Sequence, residues 1–273
     1  MKYILISLFA VIVACSSSSA PEAPSEEPAE PSWQLVWADE FDVDGLPDAQ
    51  KWNYNVGGHG WGNNELQYYT NARAKNVRIK EGVLTIEAHR ESYNGKQYTS
   101  ARLTSRGKGD WKYGRIEVCA RLPKGRGTWP AIWMMPTDSN YGSGSWPDNG
   151  EIDIMEHVGF DEGHVHCTIH CNAYNHRIGT QVGKSIMIAD AVKTFHVYAI
   201  EWREDKIEGF VDDAKYFSFA NENKGWQTWP FDKPFYLVLN LAIGGDWGGA
   251  QGVDDSIFPQ RLIIDYVRVY QWK

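Results

Sequence analysis

Beyond residue 33 the chain offers no helix-length run of apolar residues. It has instead a series of short stretches in which apolar and polar residues alternate, at 66–70, 83–88, 115–121, 195–202, 207–211, 235–242 and 262–270, punctuated by Gly, Asn and Pro. Alternation with a period of two sends successive side chains to opposite faces of a strand, so each stretch has one face to bury. Many such strands joined by turns satisfy that need by stacking as an all-β sandwich. In 83–88, for example, the pattern predicts Leu84, Ile86 and Ala88 facing the core and Thr85 and Glu87 facing out. No repeat of propeller or solenoid length is present. Two antiparallel sheets curved over one another leave a concave face, across which a polymer can lie.

With 273 residues and 42% hydrophobic content the chain can bury a sizeable core and needs only one catalytic domain. Its net charge of -8, without a P-loop or dinucleotide fingerprint, excludes nucleic acid and an anionic lipid surface as electrostatic partners. The 13 tryptophans either fill a sandwich core or present flat faces in a ligand groove.

Three segments follow from the composition: a leader at 1–15, a linker at 16–32 and a folded domain at 33–273. Lys2 and the apolar run at 3–14 read as a secretory signal too short to span a bilayer comfortably. Ile12-Val13-Ala14-Cys15 resembles the lipobox of bacterial lipoproteins. That resemblance implies a lipidated Cys15 as mature N-terminus, export across the inner membrane, and anchoring at the outer membrane or cell surface by lipid alone. The linker interleaves four Pro with Glu22, Glu26, Glu27 and Glu30, an extended, self-repelling tether. The remaining thiols, Cys119, Cys167 and Cys171, show no metal-like spacing and are expected mostly free and buried. Cys167 and Cys171 lie about 13 Å apart if extended, too far to bridge within one strand; a partner across strands, such as Cys119, stays open.

Within this β-rich chain, Glu151-Ile152-Asp153-Ile154-Met155-Glu156 places three carboxylates in an otherwise apolar strand. Each would cost several kcal/mol if buried unpaired, so they must share a wet or functional face. Strict alternation puts Glu151 and Asp153 on one face and Glu156 on the other; one extra residue, a β-bulge between Asp153 and Glu156, returns Glu156 to the first face. Two glutamates leaning together there can approach the roughly 5–5.5 Å that a retaining glycosidase needs, with Asp153 between them to hold a proton. An edge strand with a solvated acidic face is the alternative.

This run, preceded by Trp146-Pro147 and Gly150, resembles the E-x-D-x-x-E signature of glycoside hydrolase family 16, in the bulged form typical of laminarinases, agarases and carrageenases. The resemblance extends over about 37–270 and implies a jelly-roll β-sandwich with a concave substrate cleft. It also implies retaining, endo-acting hydrolysis of β-1,3-glucan. Glu151 would be the nucleophile, Glu156 the acid/base and Asp153 their support.

Flanking motifs fit the same frame. Trp129, Ala131 and Trp133 share a strand face, as a stacking platform or as core; the resemblance to a G-x-W-P-A-x-W segment puts both tryptophans in the cleft. Asn63, Glu65, Gln67 and Tyr69 form a polar row suited to sugar hydroxyls, with Asn63 matching a donor-side glucose contact. Arg106, in Ser105-Arg106-Gly107-Lys108, is similar to a substrate-contacting turn, although an ordinary surface ion pair is an equal reading. His164, His166, Thr168 and His170 fall on one face. A cleft wall suits them better than zinc, and Thr168-Ile169-His170 matches the family's Thr-x-His, which puts His170 near the cleaved linkage. The glycine-rich 244–249 loop can close on a chain with Trp247 as a lid.

Segments around Glu40, Gly82 and Asp265 are similar to those holding a structural calcium in many members; no cofactor is implied for catalysis. The expected partner is a polysaccharide, and the expected state a monomer. Related activities on mixed-linkage glucan, agar or carrageenan, and a non-catalytic glycan-binding lipoprotein, are the rival readings.

Overall fold

The computed structural model describes residues 31–273; the leader, Cys15 and nearly all of the linker lie outside the described residues. Strands are labelled in chain order. Ten of them form an outer sheet: β16 (Ala214–Ala220), β15 (Lys206–Val211), β14 (His196–Trp202), β9 (Gly114–Arg121), β18 (Gln260–Trp272), β5 (Val83–Tyr93), β6 (Lys96–Ser100) and β3 (Gln67–Tyr69) run side by side. In the same sheet, β1 (Trp33–Asp39) pairs with β18 and β4 (Val77–Lys80) with β5.

The other eight run β13 (Val182–Met187), β12 (His164–His170), β11 (Glu151–Glu156), β10 (Thr128–Pro136), β17 (Phe235–Ile243), β7 (Arg102–Thr104) and β2 (Asn53–Tyr54), with β8 (Asp110–Trp111) on β17. All pairings are antiparallel except β3 with β6. The 13 residues of β18 pair with β5 through their first part and with β1 through their second, so one strand joins both ends of the described residues.

Alternation divides the eight-stranded sheet cleanly. Ile132, Met134, Ile152, Ile154, Met155, Val165, Ile169, Leu237, Leu239 and Leu241 point into the core, where residues such as Leu84, Ile86, Ile116, Val118, Ile200 and Trp202 of the outer sheet meet them. Burying such a side chain contributes about 1.5–3 kcal/mol, and β11 buries Ile152, Ile154 and Met155. That anchoring offsets the cost of gathering acids on the strand's other face.

One expectation needs correction. Thr85 and Glu87 do not face solvent: the outer side of β5 is covered by Arg78 and Arg261, which pair with the Glu87 carboxylate at 2.5 and 3.0 Å, and Glu87 is 4% exposed. Alternation located the face correctly, but the long arginine side chains laid over it close it to water. Near the segments expected to hold calcium, Asp39, Glu40, Asp42 and Asp48 line a hollow of about 440 Å³. Both Glu40 carboxylate oxygens are held by Arg268 at 2.8 Å, Gly82 offers only main chain, and Asp265, the exposed bulged residue of β18, faces the Cys119 thiol. Cys119, Cys167 and Cys171 are free and buried, as their spacing suggested.

Candidate active site

The face of the eight-stranded sheet turned away from the core carries a groove of about 570 Å³. Its floor is built in rows across the strands. Arg102 of β7, Asn240 of β17, Ala131 of β10, Glu156 of β11 and His166 of β12 are successive register partners. A second row sets Trp133, Asp153 and Thr168 side by side, and a third pairs Glu151 with His170.

These rows exist because β11 is bulged. Against β12, Asp153 pairs with Thr168 and Glu156 with His166, so three steps on β11 match two on its neighbour. The same irregularity appears against β10, where Ile132 meets Met155 and Trp133 meets Asp153. The extra residue keeps Ile154 and Met155 both in the core and returns Glu156 to the groove.

The two glutamates are held differently. Trp146 Nε1 donates to Glu151 Oε2 at 2.8 Å, and Trp129 Nε1 donates to Glu156 Oε1 at 3.0 Å. Burial raises Glu151 to about 7, against the pull of the Trp146 bond, a hydrogen bond from Asp153 and the positive Arg102. Burial also raises Glu156 to about 7, with repulsion from Glu151 adding to it and only the Trp129 bond opposing. Asp153, 2% exposed, is pushed well up by burial and by repulsion from both glutamates, which favours its protonated form. The row titrates as a unit, and with three partners favouring its charge against one for Glu156, Glu151 is the better place for a negative charge. A neutral Asp153 that donates to an ionised Glu151 beside a protonated Glu156 is the division of labour a retaining glycosidase needs.

His166 and His170 wall the groove, and burial favours the neutral form of each. Burial lowers His170 to about 4, and its Nε2 lies 3.4 Å from Asp153 Oδ2. His166 is also lowered by burial and meets the Trp247 ring edge-on at 5.0 Å. His164 lies outside the groove lining, paired with Asp161 at 2.7 Å.

Of the sequence-predicted contacts, the structure brings Asn63, Trp129, Trp133, His170 and Trp247 into the groove with the three acids. Trp247 packs on Trp129 at 5.7 Å; its loop is tied to the 60–66 turn by Asn64 Nδ2 to Asp246 Oδ1, 2.8 Å. Arg106 is not brought in. It donates to the Thr137 carbonyl and stacks on Tyr236, while Arg102 lines the groove instead, clasped between the Trp61 and Trp133 rings at 4.7 Å each. Four residues along the chain, a strand position replaced a turn position, and the turn shape of 105–108 had hidden this.

Gln67 and Tyr69 also leave the predicted sugar-facing row. Both are fully buried and donate to Glu65 Oε2, and Tyr69 passes the chain on to Asn240, whose Oδ1 accepts from Trp133 Nε1 at 2.7 Å. The polar row is thus the support under the tryptophan platform. Asn240 was legible in principle, as the lone amide in the apolar run of β17. His176, which packs on Trp146 at 4.8 Å, carried no sequence signal because it sits in an isolated 3-10 turn.

The family model for glycosyl hydrolases family 16 matches residues 39–268. A β-glucanase of Rhodothermus marinus is 57% identical over 270 residues, covering 97% of this chain and 93% of that protein. The crystal structure of the laminarinase from Rhodothermus marinus superposes with a TM-score of 0.88 at 61% identity, covering 89% of this chain and 99% of that one. A variant of SCLam, a non-specific endo-β-1,3(4)-glucanase crystallised with 1,3-β-D-cellotriosyl-glucose, superposes at 0.84 with 49% identity, covering 89% and 96% respectively.

Proposed function

The chain belongs to glycosyl hydrolases family 16, and from that membership and the groove geometry we propose that it is an endo-β-1,3-glucanase of laminarinase type acting with retention. The observation that carries the reading is the bulged acid strand, which sets Glu151, Asp153 and Glu156 on one groove face between tryptophan platforms.

Glu151, ionised, attacks the anomeric carbon; Glu156 gives its proton to the departing glycosidic oxygen, and a glycosyl ester on Glu151 results. Glu156, now a carboxylate, takes a proton from water, which attacks the same carbon and releases Glu151. Asp153 keeps its hydrogen bond to Glu151 throughout and is a positioning residue. Trp146 and Trp129 hold the two glutamates, and Trp133, set by Asn240, offers its ring to a sugar face.

The substrate assignment is tested by a reducing-end assay on laminarin, lichenan, agarose and κ-carrageenan. Laminarin should be cleaved fastest and lichenan more slowly; activity confined to agarose or κ-carrageenan would remove the glucanase reading, and inactivity on all four would favour a glycan-binding protein.

The acid row also sets a pH profile. As pH rises through about 7, Glu156 loses the proton it must donate and kcat/KM should fall; as pH drops, Glu151 protonates and activity falls again. Asp153→Asn, which retains a neutral hydrogen-bond donor, should stay measurably active, within about 100-fold of the parent, the low end of what a general acid contributes. Complete inactivity with an unchanged melting temperature would mean that Asp153 takes part in the chemistry itself.

We further propose that Cys15 carries a lipid and that the 16–32 tether holds the enzyme off a membrane, supported by the lipobox-like run and the Pro/Glu composition. Full-length protein should enter the detergent phase on partitioning and Cys15→Ser should not. Equal partition of the two into water would contradict the anchor.

A further inference from the structure

We propose that the catalytic cluster is also a binding site for a borderline transition-metal dication such as Zn²⁺, held by the Glu151 carboxylate, Asp153 Oδ2 and His170 Nε2, and that occupation blocks the enzyme. Among the described residues this is the one group of three or more His, Cys, Asp and Glu side chains whose ligand atoms all lie within 4.8 Å of one another. The separation of His170 Nε2 from Asp153 Oδ2 is 3.4 Å. Tetrahedral zinc with bonds of about 2.0–2.2 Å wants neighbouring ligand atoms about 3.4 Å apart. That pair is therefore spaced for the ion already, and Glu151, with a carboxylate oxygen within 4.8 Å of both, would swing in as the third ligand and leave the groove side for a fourth.

A second observation points the same way. Asp153 Oδ2 is buried without a hydrogen-bond partner, in a side chain 2% exposed that lines the groove. A buried acceptor left unpaired costs about 1–3 kcal/mol, and an ion at this place would satisfy it. One imidazole and two carboxylates suit zinc or copper; calcium wants six to eight oxygens, which these side chains do not supply. The ion would compete with sugar for Glu151 and His170, so binding should exclude substrate.

The test titrates Zn²⁺ into chelator-treated full-length protein in detergent and follows binding by calorimetry. One equivalent should bind, and saturating laminari-oligosaccharide should suppress it. His170→Asn should weaken binding by at least about 100-fold, the upper end of the cost of losing an outer-shell partner. Asp153→Asn should weaken it similarly, while His164→Asn, on the surface pair with Asp161, should not. Melting curves establish that each variant is folded, and either of the first two serves if the other is not. In turnover assays Zn²⁺ should inhibit competitively and a chelator should restore the rate. Zinc affinity unchanged in His170→Asn and Asp153→Asn would overturn the site, as would zinc binding unaffected by oligosaccharide in a preparation that cleaves laminarin. The binding does not depend on the glucanase reading: zinc binding as described in a protein that cleaves no glucan would defeat that reading alone.

Discussion

Glu151→Ala should lose turnover on laminarin and on an activated aryl β-glycoside alike, by on the order of 10⁵-fold or more, as deletion of a covalent nucleophile does elsewhere. The loss should be the same for both because Glu151 makes the bond to the anomeric carbon whatever group departs. Burial works against an ionised Glu151, yet Trp146, Asp153 and Arg102 all favour its charge. Removing the side chain leaves Trp146 Nε1 without its partner but does not touch the core face of β11, where Ile152, Ile154 and Met155 remain packed. The variant should therefore fold. With azide it can yield a glycosyl azide only by direct displacement, with inversion at the anomeric carbon. Activity within about 100-fold of the parent would exclude Glu151 as the nucleophile.

The second large effect depends on the leaving group. Glu156→Ala should fall by about 10³–10⁴-fold on laminarin, the range for loss of a positioned general acid, because a sugar hydroxyl is a poor leaving group without a proton. An aryl glycoside with an acidic phenol needs no such help, so its first step should survive and the glycosyl-enzyme should accumulate. Azide, which needs no general base, should then attack that ester and give a glycosyl azide of retained configuration. The two variants thus give opposite anomers. Inverted azide product from Glu156→Ala would mean that the two roles are exchanged.

The acids were legible because their chemistry conflicts with their surroundings: three carboxylates in an apolar strand make sense only on a shared face, and the bulge between Asp153 and Glu156 follows from that need. The strand pattern was legible for the same reason, since 235–242 and 262–270 alternate or run apolar with clear punctuation, and β17 and β18 extend those stretches by only a few residues. Supports assembled through space were not legible. Arg102 reaches the groove because Trp61 and Trp133, distant in sequence, close on it from either side. The Glu65, Tyr69 and Asn240 relay joins two sheets, and nothing local in the 63–69 row distinguishes a sugar-facing amide from one that holds up a tryptophan. Glu87 was misplaced because alternation reports the face and not what lies over it.

The most direct test of the mechanism is capture of the covalent intermediate. A 2-deoxy-2-fluoro laminaribiosyl donor with a good leaving group slows both steps but the second more, so the glycosyl-enzyme persists long enough for proteolysis and mass spectrometry. The mechanism predicts stoichiometric inactivation and a single labelled peptide, with the sugar ester on Glu151. A label on Glu156, or turnover of the parent enzyme that releases sugar of inverted configuration with no label at all, would contradict it.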